Sequence, residues 1–302
     1  MNSVDGLVPV IKGNGYGFGR LRLAEMAAEF CDTVAVGTVH ELGGLPSGLT
    51  ATVLTPVLVA SLANDEVSGL IAQHDPILTV SSGAHVEALA VAGWSGRVIV
   101  KVATDMKRYG VDAAKCPMLV AHARANDLDV VGVALHPPLA GTSGERAAQI
   151  IAALPSVDSN VPVWTSHLDA ATYGQLPTSH SYRLRLGTSL WHGDKSALHL
   201  SADVIEVRRI AAGETAGYRL AVVPGDGHLV MIGAGTANGV APLPDGRSPF
   251  HFERARLALH ESPHMHTSMA FVPAGDALPD IGDRVDLQRA LHATTVDEYE
   301  WL

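Results

Sequence analysis

Residues 97–136 read RVIVKVATDMKRYGVDAAKCPMLVAHARANDLDVVGVALH, and this stretch carries the pattern that decides the fold. Two nearly continuous apolar runs, RVIVKV and VVGVALH, flank an alanine-rich segment with helical periodicity. Apolar strands without polar alternation, joined by a helix, are typical of a parallel sheet that is buried on both faces. The stretch therefore predicts a strand, a helix and a second strand parallel to the first.

The same alternation continues on both sides, from residue 7 to about residue 191. Alanine-rich segments separate the apolar runs, and most of them open on Asn, Ser or Asp, which are common helix N-caps. Eight such units in about 190 residues favour a compact (β/α)8 barrel of the TIM type over an open doubly wound sheet. The eight runs are LVPVIK (7–12), TVAVG (33–37), ATVLTPV (51–57), PILTV (76–80), RVIVKV (97–102), VVGVALH (130–136), VPVWTSH (161–167) and SYRLRLGTSLW (181–191).

The pattern changes near Leu200. Strand-like segments then follow one another with Gly, Pro and Asp turns between them and without helical periodicity; they are SADVIEVRRI, GHLVMIGAG, FERARLALHES, HTSMAFVP and DRVDLQRAL. Such a succession predicts a mostly antiparallel β domain. We therefore expect a barrel over residues 1–200 and a C-terminal β domain over residues 201–302.

The composition narrows the function classes. The chain has 302 residues, and 21 basic against 31 acidic side chains give a net charge of −10, which argues against binding to nucleic acid or to an anionic membrane surface. No run approaches the roughly 18 apolar residues of a membrane span, and no signal sequence is recognisable, so we expect a cytoplasmic protein. Cys31 and Cys116 lie in helix-like segments without CxxC or metal spacing, which indicates small buried apolar side chains.

Unusual polar residues collect where the predicted strands end. A single lysine or arginine at such a position is most often a solvated cap, but the active site of a TIM barrel lies at the carboxyl ends of its strands. Several polar residues at these ends therefore predict a site. They are Lys12 after the first strand, Arg108 after the fifth, His136 at the end of the sixth, and Arg185, Gly187 and Thr188 at the end of the eighth.

A glycine-rich segment, KGNGYGFG at 12–19, follows the first predicted strand. Such a loop lets backbone N–H groups approach a ligand closely, although it matches neither the phosphate-loop nor the dinucleotide fingerprint. Lys12 is its first residue and is one of only five lysines in the chain. A desolvated lysine has a lowered pKa and can attack a carbonyl group, so Lys12 is the candidate nucleophile.

The motifs resemble those of one family, in order along the chain. VIKGNGYGFG (10–19) closely resembles the pyridoxal phosphate attachment segment of bacterial alanine racemases. The further matches are VKVATDMKRYGVD (100–112), GVALH (132–136), RLGTSLWHG (185–193), GETAGY (213–218), IGAGTANGV (232–240), which matches only loosely, and IGDRVDL (281–287). This resemblance implies a pyridoxal phosphate enzyme with a barrel and a β domain, assembled as a head-to-tail homodimer with shared sites.

The resemblance also implies roles for individual residues. Lys12 would bind the cofactor as a Schiff base and exchange a proton on one face of the substrate Cα, and Tyr218 would do so on the opposite face. Arg185 would donate to the pyridine nitrogen, and an arginine keeps its proton there. The remaining implied contacts are Tyr16, Ser166, Gly187 and Thr188 with His136 for the cofactor, and Arg108, Lys101 and Met265 for the substrate, Lys101 being carbamylated in some relatives.

The sequence departs from the family pattern on the substrate side. His264, Met265 and His266 replace a cysteine, methionine and aspartate triplet, and Thr236 stands where a tyrosine is usual. Eleven residues precede Lys12, where family members normally carry a few dozen. His264 and His266 would share one face of an apparent strand near His260, which makes a metal site conceivable. No spacing fixes a third ligand, so we expect no metal.

The leading hypothesis is therefore an alanine racemase, or a racemase of another small amino acid, with pyridoxal phosphate as its cofactor. The family role would be D-alanine biosynthesis for peptidoglycan precursors. A second hypothesis is a pyridoxal phosphate decarboxylase or lyase on the same scaffold, although that branch usually has a carboxylate where this chain has Arg185. A third is a homologue that binds the cofactor but has lost or altered its activity.

Overall fold

The computed structural model describes residues 6–57 and 59–301. The described chain divides into two compact units. The first contains residues 6–15 and 20–191, apart from residue 58, and the second contains residues 16–19 and 192–301. The short segment 16–19 within the glycine-rich loop therefore groups with the residues that follow the barrel.

The first unit is a barrel of parallel strands. Within its described part eight strands pair in the order β1-β8-β7-β6-β5-β4-β3-β2. A parallel bridge between Val10 and Ala35, just beyond the end of the first strand, brings the two edges of the sheet together. The predicted (β/α)8 barrel is confirmed. Its strands are β1 (Leu7–Pro9), β2 (Thr33–Val36), β3 (Thr50–Pro56), β4 (Ile77–Val80), β5 (Arg97–Lys101), β6 (Asp129–Ala134), β7 (Val163–Ser166) and β8 (Tyr182–Leu186).

Helices follow most of these strands. They are α1 (Arg20–Ala28), α2 (Asp65–His74), α3 (Gly83–Val91), α4 (Cys116–Ala125), α5 (Ser143–Ala153), α6 (Ala170–Tyr173) and α7 (Thr188–Trp191). The side chains of Asn64, Thr142 and Asp169 cap α2, α5 and α6 as acceptors of backbone N–H groups. Throughout residues 6–57 and 59–301, every helix is too short or too polar to cross a lipid bilayer.

Three local details differ from the sequence pattern. The segment TVHELGGL between β2 and β3 forms only a 3-10 turn, Val39–Glu41, because two glycines and Pro46 follow it and disfavour a helix. The last apolar run (181–191) divides into strand β8 and the one-turn helix α7. Cys31 lies beyond the end of α1 and is partly exposed, whereas Cys116 begins α4 and is buried.

The strands of the barrel are buried on both faces, as their apolar runs predict. Every residue of β2, β4 and β7 is buried, and Trp164, Ile99 and Leu78 are among the largest fully buried side chains. Two long cationic side chains, Lys101 and Arg185, are buried among these apolar residues. Burying a charge is costly unless it is paired and hydrogen-bonded, and such groups are often found at functional sites. These two residues therefore mark where the site should be sought.

The second unit is an antiparallel sheet. Seven of its strands pair in the order β14-β13-β17-β9-β12-β16-β15, and β10 and β11 form a separate hairpin, within the described residues. Phe250, Val230 and Ala270 are fully buried in its core. The strands are β9 (Ser201–Ile210), β10 (Thr215–Ala216), β11 (Ala221–Val222), β12 (Gly227–Ile232), β13 (Phe250–Phe252), β14 (Ala255–Arg256), β15 (Ala258–Leu259), β16 (Ser268–Pro273) and β17 (Arg284–Leu287).

Candidate active site

The carboxyl ends of the barrel strands bring together a set of cationic and imidazole side chains. Ser166, the last residue of β7, is in register with Arg185 in β8, and Lys101, the last residue of β5, is in register with Ala134 in β6. Parallel strands place all these ends on one rim of the barrel. Five residues lie in or follow these strand ends, and we call them the rim cluster: Lys12, Lys101, Arg108, His136 and Arg185.

Arg185 is held by main-chain carbonyl groups. Its Nη2 donates to Leu135 O at 2.8 Å and its Nε donates to Thr165 O at 3.4 Å, and the residue is only 5% exposed. Burial and the neighbouring charge of Arg108 lower the pKa of Arg185 to about 10, so the guanidinium stays protonated at neutral pH. No carboxylate in the described part of the chain forms an ion pair with Arg185.

Lys101 is buried beside two other cations. It is 6% exposed, and its amine has neither a carboxylate nor a hydrogen-bond acceptor among residues 6–57 and 59–301. Burial, followed by the charges of Arg185 and Arg108, lowers its pKa well below 10.5. Arg108 stacks its guanidinium over the ring of Tyr109 at 4.7 Å. The rim cluster therefore accumulates positive charge that a bound anion would neutralise.

Lys12 lies three residues beyond β1. The surrounding protein desolvates its amine and lowers the pKa, and the charges of Arg108 and Arg185 act in the same direction, whereas the carboxylate of Glu41 opposes them. Glu41 is fixed in place, because its Oε2 accepts from Gly37 N at 2.7 Å and its carbonyl accepts from the Arg20 guanidinium. A lysine whose amine loses its proton more readily is suited to nucleophilic attack and to proton transfer.

His136 is held neutral. Its Nδ1 lies 2.5 Å from Ser166 Oγ, and burial, followed by the charges of Arg185 and Lys101, lowers its pKa to about 2. Thr104 Oγ1 donates to the His136 carbonyl at 2.8 Å, which ties the loop after β5 to the end of β6. The neutral imidazole can accept or donate one hydrogen bond beside a cation without adding charge.

His167 is a residue of this site that sequence reasoning missed. Its ring lies 4.5 Å from that of His136, its Nδ1 lies 2.9 Å from Pro137 O, and its φ of 65° is in the left-handed region. Burial lowers its pKa more than the Pro137 hydrogen bond raises it, and Arg185 and Lys12 contribute in the lowering direction. The signal was present, since His167 is the last residue of the predicted strand run 161–167.

The glycine-rich loop has the backbone conformation that its composition predicts. Gly15 has a φ of 63°, and a Cβ at this position would lie 2.5 Å from the backbone N of Arg20, so the turn into α1 requires glycine. Tyr16 adopts a φ of 56°; burial raises the pKa of its phenol, and His192 Nε2 lies 2.7 Å from its carbonyl. The loop thus has a defined shape.

Gly187 directly precedes α7, and Thr188 is the first residue of this helix. The Gly187 carbonyl accepts from Leu190 N at 2.9 Å and from Trp191 N at 3.0 Å, and Trp191 Nε1 donates to Val10 O at 2.8 Å. The first-turn N–H groups of this short helix have no carbonyl within the helix.

Tyr218 lies in the second unit, in the turn that joins β10 to β11. The residue does not fill a core, because it is 86% exposed and its hydroxyl group has no partner in the described chain. The Glu261 carboxylate accepts from Tyr218 N at 3.0 Å and from Arg219 N at 3.4 Å. We call residues 217–220 with Glu261 and His264 the tyrosine turn.

The loop of His264, Met265 and His266 precedes β16, so the expectation that the two histidines share a strand face is wrong. Thr236 N and Ala237 N, in a 3-10 turn, donate to the carbonyls of His264 and Met265, both at 2.8 Å. Met265 is exposed. Across the parts of the chain that the structure describes, no three His, Cys, Asp or Glu side chains are grouped to hold a metal ion.

Comparisons with known proteins identify relatives. The family model of the alanine racemase N-terminal domain matches residues 1–194. Solved alanine racemases share the fold. That of Clostridium difficile 630 is 16% identical, and the match covers 93% of this chain and 79% of that one, with a TM-score of 0.69. That of E. faecalis is 22% identical, and the match covers 93% of this chain and 81% of that one, with a TM-score of 0.67. The Bartonella henselae enzyme, with covalently bound pyridoxal phosphate, is 18% identical over 96% and 90% (0.69). A search of curated proteins gave no match.

Proposed function

Because the chain belongs to the alanine racemase family, we propose that it is a pyridoxal phosphate enzyme that interconverts L- and D-alanine, or the enantiomers of another small amino acid, with two bases. One observation carries the proposal most directly. Lys12, with a lowered pKa, shares a rim with a buried arginine that is bonded to carbonyls and lacks an acid partner. Both features favour racemisation, because the base releases its proton more easily and a ring nitrogen that takes no proton limits side reactions.

The donor groups of the rim cluster fit the cofactor. Arg185 presents five N–H donors and spends two on the carbonyls of Leu135 and Thr165, so donors remain for a ring nitrogen. The family resemblance assigns the phosphate to Tyr16, Gly187 and Thr188. The positive charges of Arg185 and Arg108, which pair with no carboxylate in the described chain, suit an anionic cofactor and a substrate carboxylate.

Lys12 would hold pyridoxal phosphate through its aldehyde until the substrate amine takes the place of the lysine amine, and the cofactor would then supply an electron sink that makes the substrate Cα–H acidic. Lys12 would then hold and return a proton on one face of Cα, and Tyr218 on the opposite face. Arg108 would bind the substrate carboxylate and so orient Cα between these two groups. Two bases on opposite faces are what inversion of the centre requires.

Arg185 and His136 would keep the chemistry on this path. With a pKa of about 10, Arg185 would donate a hydrogen bond to the ring nitrogen without giving up the proton, which limits side reactions such as transamination. His136, neutral at pH 7, would lie against the cofactor ring and relay hydrogen bonds between Arg185 and Tyr218. Ser166 would fix the orientation of His136.

The proposal includes a homodimer in which Tyr218 of one copy serves Lys12 of the other. The exposure of Tyr218 and the absence of a partner for its hydroxyl in the described chain support this arrangement. Leu220 and Val222, in the same hairpin, are also exposed, as expected for a surface that a second copy would cover.

The first experiment tests the cofactor. Protein incubated with pyridoxal phosphate is reduced with borohydride, digested and analysed by mass spectrometry. We expect a pyridoxyl adduct on Lys12 in the wild type and none in Lys12→Ala. Lys195→Ala, which removes an exposed lysine of the second unit, is the matched control and should leave the adduct unchanged. Absence of the adduct on wild-type Lys12 would overturn the proposal.

The second experiment tests the reaction. L-Alanine is followed by loss of optical rotation and by exchange of its α-proton in deuterated water, and we expect both, with Lys12→Ala and Tyr218→Phe losing racemisation. An adduct without exchange would instead indicate a cofactor-binding homologue without turnover. Release of carbon dioxide from an amino acid would indicate a decarboxylase. Other small amino acids, tested in parallel, define the substrate.

A further inference from the structure

We propose that Glu261 and His264 form a positioning pair that holds Tyr218 in one orientation for proton transfer with the substrate. This inference rests on the proposed function, in which Tyr218 is one of the two bases. Neither residue follows from the family motifs, because His264 stands where relatives have a cysteine and Glu261 lies outside every motif that matches.

Glu261 fixes the backbone of the tyrosine turn. Its two carboxylate oxygens accept from successive main-chain N–H groups, Tyr218 N at 3.0 Å and Arg219 N at 3.4 Å. The carboxylate also lies directly over Gly217, whose φ is 81°, and any side chain at 217 would run into it. The turn and the carboxylate are therefore built for each other, and the direction in which Cα–Cβ of Tyr218 points is set by this contact.

His264 continues from Glu261 to the phenol ring. Its Nε2 lies 2.5 Å from Glu261 Oε1, and its ring packs against the Tyr218 ring with a centroid separation of 4.5 Å. The two side chains of the pair are mostly buried, with 7% of Glu261 and 20% of His264 exposed. A carboxylate only accepts hydrogen bonds, so His264 must donate through Nε2, and this charge-assisted bond fixes the plane of the imidazole.

Main-chain hydrogen bonds fix the backbone of His264. His264 N donates to Thr267 O at 2.8 Å, and its carbonyl accepts from Thr236 N at 2.8 Å. Glu261 stays ionised: although desolvation acts to raise its pKa, the hydrogen bonds from His264 and from the N–H groups of Tyr218 and Arg219 lower it more. The chain of contacts thus runs from a fixed loop, through a fixed imidazole, to an otherwise exposed phenol.

The consequence is a restricted tyrosine. A side chain that is 86% exposed ordinarily samples several χ1 rotamers, and each productive encounter then requires the correct one. Packing against His264 and clamping of the turn by Glu261 remove most of this freedom before the substrate arrives. Pre-organisation of this kind raises the rate of proton transfer at the face that Tyr218 serves and leaves the Lys12 face unaffected.

The test separates the two faces. The α-proton exchange of L- and D-alanine is measured separately, as initial rates in deuterated water, because each enantiomer presents its proton to a different base. Tyr218→Phe identifies the enantiomer whose exchange depends on Tyr218. In His264→Ala and Glu261→Ala we expect that exchange to fall by about 10- to 100-fold, while exchange of the other enantiomer stays within about twofold.

Conservative variants show which contact matters. His264→Phe keeps a ring against Tyr218 but cannot bond Glu261, and Glu261→Gln keeps one acceptor oxygen without the charge. We expect the Tyr218-dependent exchange rate to fall less in each of them than in the alanine variant at the same position. His199→Ala is the matched control, because His199 makes a similar 2.6 Å contact with Asp286 on an exposed part of the same unit. It should change neither exchange rate.

A second readout does not depend on activity. Amide hydrogen exchange of the tyrosine turn, followed by NMR at Tyr218 and Arg219, should accelerate in Glu261→Ala and stay unchanged in His199→Ala. The borohydride adduct on Lys12 must remain in all variants.

The outcomes are distinct. Wild-type protein without exchange of either enantiomer contradicts the proposed function and, with it, the pairing. Equal loss of both exchange rates in folded His264→Phe and Glu261→Gln contradicts positioning and indicates general damage. Unchanged exchange of both enantiomers in every variant also contradicts it.

Discussion

The rim cluster and the tyrosine turn solve the placement of polar groups in opposite ways. In the rim cluster, buried cations accumulate without an acid partner, and Arg185 is satisfied by carbonyl dipoles. In the tyrosine turn, a buried carboxylate binds an imidazole and two main-chain N–H groups. The first arrangement leaves net positive charge for a ligand, whereas the second is complete within the chain.

The two regions therefore differ in how their polar groups affect the stability of the fold. Buried cations without an acid partner destabilise the folded chain, and binding of an anion would lower that cost. The tyrosine turn needs no ligand to be ordered, and its contribution is to present one exposed side chain. Removing the unpaired Lys101 amine should therefore raise the free energy of unfolding, whereas disturbing the tyrosine turn should lower it.

The largest expected effect is that of Arg185→Leu. It removes the side-chain donor from the carbonyls of Leu135 and Thr165, and at about 1–3 kcal/mol for each carbonyl we expect a loss of about 2–6 kcal/mol in the free energy of unfolding. Arg183→Leu, on the same strand, is the matched control; it loses one bond to Thr33 Oγ1 and a stacking contact with Trp164. Urea denaturation measures the free energy of unfolding of both variants. Equal losses in the two would show that the carbonyl contacts of Arg185 contribute little to stability.

The next effect has the opposite sign and depends on pH. The pKa of Lys101 is lowered in the folded chain, so between that value and the 10.5 of the unfolded chain the unfolded state binds the extra proton and wild-type stability rises with pH. The slope reaches at most about 1.4 kcal/mol per pH unit within this window. Lys101→Met should therefore stabilise the protein at pH 7, by an amount that shrinks towards pH 10.

Urea midpoints at several pH values, without cofactor and in buffer purged of carbon dioxide so that the amine stays unmodified, measure this effect. Lys115→Met is the control, because Lys115 is exposed and pairs with Asp112 on the surface. A gain from Lys101→Met that does not vary with pH would show that the amine remains charged in the folded protein.

A smaller effect is expected at the tyrosine turn. Gly217 and Gly213 have nearly the same backbone φ, 81° and 82°, but only Gly217 is covered by the Glu261 carboxylate, whereas the space around Gly213 is open. Alanine at Gly213 should cost about 1 kcal/mol for the left-handed backbone alone, and alanine at Gly217 should cost about 1–2 kcal/mol more because Glu261 must move. Thermal or urea denaturation measures the difference, and equal costs would contradict the close contact.

The sequence predicts the rim cluster better than the tyrosine turn, for a physical reason. Parallel strands carry their ends to a common rim, so residues such as Lys12, His136 and Arg185 can be assigned to one place from strand order alone. Even His167 was accessible to the same reasoning. What the pattern could not show is that Lys101 has no acid partner within the described chain, since that depends on which side chains turn inward.

The tyrosine turn was beyond the sequence because its parts are distant and lie in irregular segments. Tyr218 and Glu261 are 43 residues apart, and neither lies in a strand, so no periodicity relates them. His264 was assigned to a strand face by its spacing from His266, yet backbone contacts with Thr236 hold it in a loop. In antiparallel units, loops are set by such contacts, which have no signature in spacing.

The smallest effect compares two hydrogen-bonded histidines. His264 bonds a carboxylate, whereas His136 bonds the neutral hydroxyl of Ser166, and a bond between neutral groups contributes only about 0.5–1.5 kcal/mol. Ser166→Ala should lower the free energy of unfolding by that amount. It should not make His136 titrate near pH 7, because the low pKa of this histidine comes from burial and neighbouring cations rather than from Ser166.

The adjacent residue supplies the control. Thr165 is also fully buried, but its hydroxyl has no hydrogen-bond partner in the described chain, so Thr165→Val should be neutral or slightly stabilising. Urea denaturation compares the two variants, and NMR of the His136 ring protons follows its protonation state. If Thr165→Val costs as much as Ser166→Ala, the loss at Ser166 reflects packing, and the 2.5 Å contact with His136 contributes little. A loss at Ser166 alone shows that the rim cluster orders its histidine with a weak, neutral bond, leaving the ring able to respond to a ligand.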